Sequence, residues 1–349
     1  MNQQRDLGID AVRGFAMVLM TSTHALRMFR PDSLPDFAQW LFRIEPVTPA
    51  IFFLVAGWGL SRSHRRTTDV PAWRKRQWVR SGILFSISAA VFFAYSGLQW
   101  PESIVSTGVL GCLAWTIAIG ALILPRTALA IGLLVASVVV RALFDSRGIR
   151  VDGLNSGTFA LLPNLPIFLA GILGDRLLDR NKSYEAIAGT MGALVILFLS
   201  YKIGFRNLWD GDWGIERSTQ EYVVTIKHSR NGFAMISDLI QGVPTRPFLA
   251  RFNTPTLSLL PVLVAMAGLC GQFFSMVTDR FPHRLTALSA LGRHGLVYYL
   301  AHFAVLGVIA VILPPSLSSQ SWTWLVVTFT VAGLGMISMY CFDSRGARS

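Results

Sequence analysis

Residues 9–28 contain three ionisable side chains within an otherwise apolar stretch. The segment is IDAVRGFAMVLMTSTHALRM and includes Asp10, Arg13 and His24. On a helix, Arg13 and His24 lie within about 20° of one face and ~16 Å apart along the axis. Asp10 comes three positions before Arg13 and is predicted to pair with it. The spacing therefore predicts a polar stripe along one helix.

The residue types in this stripe suit proton transfer and anion binding. A histidine in a cavity can take a proton from a hydroxyl or an amine. The planar guanidinium group of Arg13 can hold a phosphate or a carboxylate. Two structural alternatives stay open: Asp10 and Arg13 as an interfacial ion pair, and His24 as an interhelical hydrogen bond. Ionisable residues in membrane helices face the bundle interior or a wet cavity, so the stripe is expected to face inward.

Three further polar residues are candidates for substrate contacts. His302 lies in YYLAHF, one helical turn after Tyr298. Together they form either an interhelical clasp or a second part of the polar cavity. Glu45 precedes two prolines in FRIEPVTPAIFF, where the chain can open an outer pocket or simply begin a helix.

The elements that position these residues are predicted to be transmembrane helices. Hydrophobic residues make up 52% of the 349-residue chain, charged residues only 14%, and the mean hydropathy is +0.50. Apolar runs of about 20 residues, enough to span a bilayer, recur along the sequence. We predict an all-α polytopic integral membrane helix bundle of about 10 transmembrane helices. The predicted spans are 8–28, 44–61, 79–97, 103–124, 128–144, 158–177, 185–204, 255–277, 287–313 and 322–342.

The distribution of basic residues predicts the orientation. Seven Lys or Arg residues lie in the loop from 62 to 80, whereas SGLQWPES and PPSLSSQSW contain none. The positive-inside rule then places both termini in the cytoplasm. The same rule accounts for the net charge of +12 without a nucleic-acid partner. We expect one domain over 1–349, with an extracytoplasmic loop insert at 205–254.

That insert mixes tryptophans with carboxylates, which suits a sugar as well as an interfacial loop. No metal-ligand spacing, phosphate-binding loop or serine-nucleophile elbow occurs in the sequence, so a metal enzyme or nucleotide hydrolase has no support. The compact chain and the absence of a targeting segment favour a bacterial inner membrane.

Several segments together resemble the transmembrane acyltransferases. The first is the Arg-Gly pair followed eleven residues after the Arg by a His, in 13–24. It resembles the first helix of the acyltransferase 3 family and of the related heparan-α-glucosaminide N-acetyltransferase-like proteins. Weaker similarities follow in order along the chain: FFLVAGWGLSRS (52–63), WRKRQWVR (73–80), LLPNLPIFLAGILGDRL (161–177) and LGRHGLVYYLAH (291–302).

The resemblance implies transfer of an acyl group, usually acetyl, from cytoplasmic acyl-CoA to an extracytoplasmic acceptor such as a glycan. It implies Arg13 and His24 as functional residues, with Asp10 beside them. It also makes the basic loop a candidate site for the phosphates of acetyl-CoA, with the candidates Arg76, Arg80, Arg62 and Arg66, although the same arginines can serve only as a topology determinant and a contact for anionic lipid. The loop at 29–43 lacks the histidine of the glucosaminide branch, which favours O-acetylation over N-acetylation. Direct transfer and an acyl-histidine intermediate both stay open.

Two other functions remain compatible with the residues. The polar stripe suits a proton-coupled secondary transporter or flippase, although the inverted repeats typical of such proteins are not visible in the sequence. A sensor that retains the fold without catalysis is the other alternative.

Overall fold

A computed structural model describes residues 7–29, 47–96, 108–147, 149, 151, 154, 159–177, 260–281, 284–313 and 322–346. Within these ranges the regular elements are α-helices and no strand occurs, as the sequence predicts. The helices are α1 (Leu7–Met28), α2 (Val47–Arg65), α3 (Val70–Ser96), α4 (Gly108–Ile123), α5 (Thr127–Ser146), α6 (Leu161–Leu177), α7 (Leu260–Arg280), α8 (Thr286–Arg293), α9 (Gly295–Ile312) and α10 (Thr323–Gly346).

Eight of the predicted spans correspond to single helices in this part of the chain. The predicted span 185–204, the insert 205–254 and Glu45 lie outside the described residues. The predicted span 287–313 is wrong as one continuous helix. It consists of α8 and α9, which meet at an angle of 87°.

The break between α8 and α9 falls at the polar pair Arg293 and His294. His294 adopts φ −98° and ψ 25°, outside the helical range. Arg293 Nη1 donates to Asp343 Oδ2 at 2.6 Å, and His294 Nε2 lies 2.9 Å from Asp343 Oδ1. Arg293 and His294, the two polar residues at the break, thereby anchor the junction to α10.

Apolar surface identifies this chain as a membrane protein. Two helices of the described part are long and apolar enough to cross a bilayer, over Thr127–Phe144 and Thr323–Asp343. The bent pair α8–α9 is a third if it is counted as one span. Large apolar side chains are exposed along α5 and α10, among them Val135, Val139, Phe329 and Ile337. Water does not favour such continuous apolar faces, whereas lipid does.

The chain divides into two compact units. The first unit comprises Met1–Val55 and Met266–Ser349. In it α1 packs against α8, α9 and α10. The approach of α1 to α8 depends on two glycines, because a Cβ at Gly14 would collide with the Leu288 carbonyl, and one at Gly292 with the Asp10 carbonyl.

The second unit comprises Ala56–Ala265. In it α3 packs on α4, and α6 packs on both α4 and α5. Gly57 and Gly120 let α2 and α4 approach Phe168 of α6, since a Cβ at either position would contact Phe168 at less than van der Waals distance. This unit also contains the end of α2, the start of α3 and the end of α6, each of which carries buried polar atoms.

Candidate functional site

Two histidines from distant parts of the sequence meet in the first unit. His24 Nδ1 of α1 lies 2.9 Å from His302 Nε2 of α9. The two rings are nearly parallel, with an interplanar angle of 11°. His302 is 1% exposed, and Phe303 packs against both imidazoles with ring centroids 4.5 and 4.4 Å away. His302 is therefore enclosed, with aromatic side chains around it, whereas His24 is half-buried.

A second cross-helix contact lies one turn from the histidine pair. Thr21 Oγ1 and the Tyr298 hydroxyl are 2.7 Å apart. Thr21 also donates to the Met17 carbonyl at 2.9 Å, so its single proton is committed there. The Tyr298 hydroxyl is consequently the donor to Thr21. From the first contact to the second, the residue numbers rise on both helices, from 21 to 24 on α1 and from 298 to 302 on α9. The two contacts together therefore fix the register of α1 against α9.

The charged residues at the start of α1 form a network with the α8–α9 junction and α10. Arg13 Nη1 lies 3.3 Å from Asp10 Oδ1, which confirms the predicted pairing. Asp10 Oδ2 also lies 3.8 Å from Arg293 Nε, and Arg293 continues to Asp343. Asp10 is 2% exposed. Arg13 therefore takes part in a partly buried ion network centred on Asp10, whereas His24 lies three turns further along the same helix.

A separate group of charged residues occupies the second unit. Asp175, near the end of α6, receives Arg65 Nη2 at 2.5 Å and Arg62 Nε at 3.5 Å on the same carboxylate oxygen. The adjacent Arg176 donates to Thr127 Oγ1 at 2.5 Å and to the Leu124 carbonyl. The positive charges of Arg74 and Arg176 act on His64. We call Arg62, His64, Arg65, Arg74, Asp175 and Arg176 the basic cluster.

The basic cluster contains several buried polar atoms that have no hydrogen-bond partner among the described residues. They are His64 Nε2, Arg74 Nε, Asp175 Oδ2 and Arg176 Nε. Trp58, Ser61 and Gln77, on the same stretches of α2 and α3, each contribute another such atom. Unpartnered buried polar groups are costly, and a native protein usually satisfies them with water, an ion or a ligand.

The electrostatics of the basic cluster favour an anion. It holds four guanidinium groups against one carboxylate. His64 lies beyond the predicted span 44–61, in the last turn of α2. Burial, and then the charges of Arg176 and Arg74, lower the pKa of His64 from its ordinary value. A nearby anion would relieve this positive potential.

The structure distributes the sequence-predicted residues over both units. It brings His24, His302 and Tyr298 together, and it pairs Asp10 with Arg13. In the second unit Arg62 joins the basic cluster, whereas Arg66, Arg76 and Arg80 are exposed. No group of three or more metal-binding side chains occurs in the described part of the chain.

Sequence reasoning missed most of the basic cluster. Arg65, Arg74 and Arg176 were counted only among the basic residues that set the orientation, and His64 and Asp175 received no role, although Asp175 and Arg176 stand as an acidic–basic pair at the end of a predicted span. A carboxylate in such a position signals a partner, because an unpaired charge at a membrane helix is costly. The partner itself, 110 residues earlier in the chain, had no sequence signal.

The comparisons with known proteins bear on the same region. The family model described as "Heparan-alpha-glucosaminide N-acetyltransferase, catalytic" matches residues 5–202, more than half of the chain. This stretch includes the polar stripe of α1 and the whole basic cluster, while His302 lies beyond it. A search of the curated proteins gave no match. The chain belongs to the heparan-alpha-glucosaminide N-acetyltransferase catalytic family.

Proposed function

We propose that this membrane protein transfers an acetyl group from cytoplasmic acetyl-CoA to the amine of an extracytoplasmic amino sugar. One observation carries the donor assignment: the basic cluster combines excess positive charge with buried polar atoms that lack partners among the described residues. The nucleotide part of CoA carries phosphates, which guanidinium groups bind as charge-assisted hydrogen-bond partners. Family membership supplies the reaction class.

Two observations bear on whether the acceptor group is a hydroxyl or an amine. The missing histidine in 29–43 favoured a hydroxyl, whereas the family description names an N-acetyltransferase. We give the family description more weight, because it rests on a match over residues 5–202 rather than on one absent residue. The bacterial inner membrane and cytoplasmic termini are retained as parts of the proposal.

His24 is the proposed proton acceptor in the transfer step. The amine nitrogen of the acceptor forms a bond to the acetyl carbonyl carbon, and the carbon–sulfur bond of the thioester breaks. His24 takes the proton that leaves the nitrogen and returns it to the CoA sulfur, so protons and charge balance. In the two-step alternative the same imidazole first receives the acetyl group and then passes it to the amine.

The acceptor is tested with a matched pair of sugars. Purified protein reconstituted in liposomes is given acetyl-CoA labelled in the acetyl group, together with glucosamine or N-acetylglucosamine. These two differ in the free amine, so label on glucosamine alone supports N-acetylation. Label on both sugars identifies a hydroxyl acceptor. Stabilisation by acetyl-CoA without any transfer would contradict an acetyltransferase.

The donor is tested by thermal unfolding. Ligands that bind the folded state raise its stability by mass action. We expect saturable stabilisation by acetyl-CoA and much less by S-acetylpantetheine, which carries the same thioester without the phosphates. Equal stabilisation by both compounds would remove the basic cluster from the proposal. No effect of either would favour the transporter alternative.

A further inference from the structure

The histidine pair contains enough hydrogen-bond partners to assign its protons. His302 Nδ1 lies 3.2 Å from the backbone carbonyl of Tyr298. A carbonyl oxygen only accepts hydrogen bonds, so the proton of neutral His302 is on Nδ1. His302 Nε2 then carries the lone pair. It accepts a hydrogen bond from His24 Nδ1 at 2.9 Å.

This assignment determines the tautomer of His24. With its proton on Nδ1, neutral His24 carries its lone pair on Nε2. We propose that His302 is a positioning residue that holds His24 in the Nδ1–H tautomer and thereby makes Nε2 its reactive nitrogen. The inference rests on the proposed function only for the identity of the group that reacts with Nε2, which is the proton of the acceptor. The tautomer itself is independent of the acceptor.

The surroundings of His302 favour positioning over substrate binding. Both of its ring nitrogens are engaged, one by the Tyr298 carbonyl and the other by His24. The side chain is 1% exposed, and the Tyr298 ring stacks on it with a centroid distance of 5.6 Å. A residue enclosed in this way cannot contact an acceptor without breaking the hydrogen bonds that orient it.

Tyr298 completes the arrangement through two different groups. Its carbonyl sets the tautomer of His302, and its ring holds the plane of that imidazole. Its hydroxyl donates to Thr21 on α1, three positions before His24. The orientation of His302 is therefore coupled to α1 as well as to α9. Such outer groups orient a reactive imidazole in the way that buried carboxylates orient metal-binding histidines.

The tautomer is measured by nitrogen-15 magnetic resonance on the full chain labelled at histidine. The sequence has six histidines, and a His24→Gln sample assigns the signals of interest. We expect a protonated Nδ1 and an unprotonated Nε2 for His24. In His302→Leu the acceptor is gone and the population with Nε2–H should rise. A wild-type His24 with Nε2–H, or no change in His302→Leu, would overturn the inference.

A conservative variant separates positioning from folding. In His302→Gln the side-chain oxygen can replace Nε2 as acceptor, so the Nδ1–H tautomer should return. With acetyl transfer as the readout, we expect His302→Leu to lose at least about tenfold in kcat and His302→Gln to recover most of that loss. Equal losses in both variants, with His24 in the same tautomer, would mean a purely structural role. If wild-type protein transfers no acetyl group, the proposed function fails, while the resonance data still decide the tautomer.

Discussion

The polar groups of the two units differ in how the protein satisfies them. In the first unit, Asp10 lies between Arg13 and Arg293, and Asp343 receives both Arg293 and His294. The histidine pair and the Thr21–Tyr298 pair are also mutual partners. In the second unit the basic cluster has more guanidinium groups than carboxylates and several buried atoms without hydrogen-bond partners among the described residues; the first unit also has such an atom in Arg293 Nε, but it faces the opposite charge of Asp10 Oδ2 at 3.8 Å.

This difference in satisfied and unsatisfied polar groups corresponds to two roles, catalysis of a reaction and binding of a ligand. Groups that already satisfy each other are pre-organised and need little reorganisation during a reaction. Groups left unsatisfied gain most when a ligand supplies the missing partners. The proposed function accordingly assigns the transfer step to the first unit and donor binding to the second. Variants that affect one role and spare the other test the comparison.

The largest effect is expected from His24→Ala. Removing a general base typically costs about 10²- to 10⁴-fold in rate, so kcat for acetyl transfer should fall by that much. Thermal stabilisation by acetyl-CoA should persist, because the basic cluster is intact. Both quantities are measured on the same detergent-purified sample. A fully active His24→Ala variant would remove this residue from the mechanism.

The complementary change is Arg74→Ala in the basic cluster. Losing a hydrogen bond to a charged group costs roughly 1.5–3 kcal/mol, which corresponds to about a 10- to 100-fold weaker affinity for acetyl-CoA. The kcat at saturating acetyl-CoA should stay near that of the wild type. Arg76→Ala is the matched control, since Arg76 is exposed on the same helix and should have a smaller effect. A larger effect at Arg76 would move the donor site towards the residues predicted from sequence.

The close approach of α1 to α8 provides a test of pre-organisation. In Gly292→Ala the new methyl group would collide with the Asp10 carbonyl and the Gly14 nitrogen. Overpacking of this kind typically costs about 1–3 kcal/mol, so the melting temperature should fall. In Gly307→Ala, on α9, a Cβ meets no described atom within 4 Å, and stability should be unchanged or slightly higher. Equal melting temperatures for both variants would mean that α8 shifts without cost.

The sequence predicted individual residues better than their partners. Asp10 and Arg13 are three positions apart on one helix, so local geometry sufficed, and the 3.3 Å contact confirms it. His24 and His302 were both singled out, but their contact joins residues 278 positions apart, which no local pattern encodes.

Missed features of the fold have the same explanation. The break at His294 was missed because long apolar runs flank Arg293 and His294 on the C-terminal side, while the contacts of these two residues with Asp343 join positions 50 and 49 residues apart. Likewise, Arg65 is one of several arginines in the basic loop, and only tertiary packing determines that it pairs with Asp175. The described helices themselves follow from apolar runs, which depend on the local sequence alone.

The smallest predicted effect is the pH dependence of donor binding. Burial and the charges of Arg176 and Arg74 keep the pKa of His64 below its usual value of about 6.5. A bound phosphate would raise that pKa, so His64 should take up a proton on binding as pH falls. Between roughly pH 7.5 and 5.5 this should strengthen acetyl-CoA binding by about threefold, since an ion pair in a partly exposed site contributes under ~1 kcal/mol. Binding titrations of wild type and His64→Gln isolate the effect from titration of the donor's own phosphates. Identical pH slopes in the two proteins would place the donor phosphates away from His64, and the unpartnered atoms of the basic cluster would then need a different ligand.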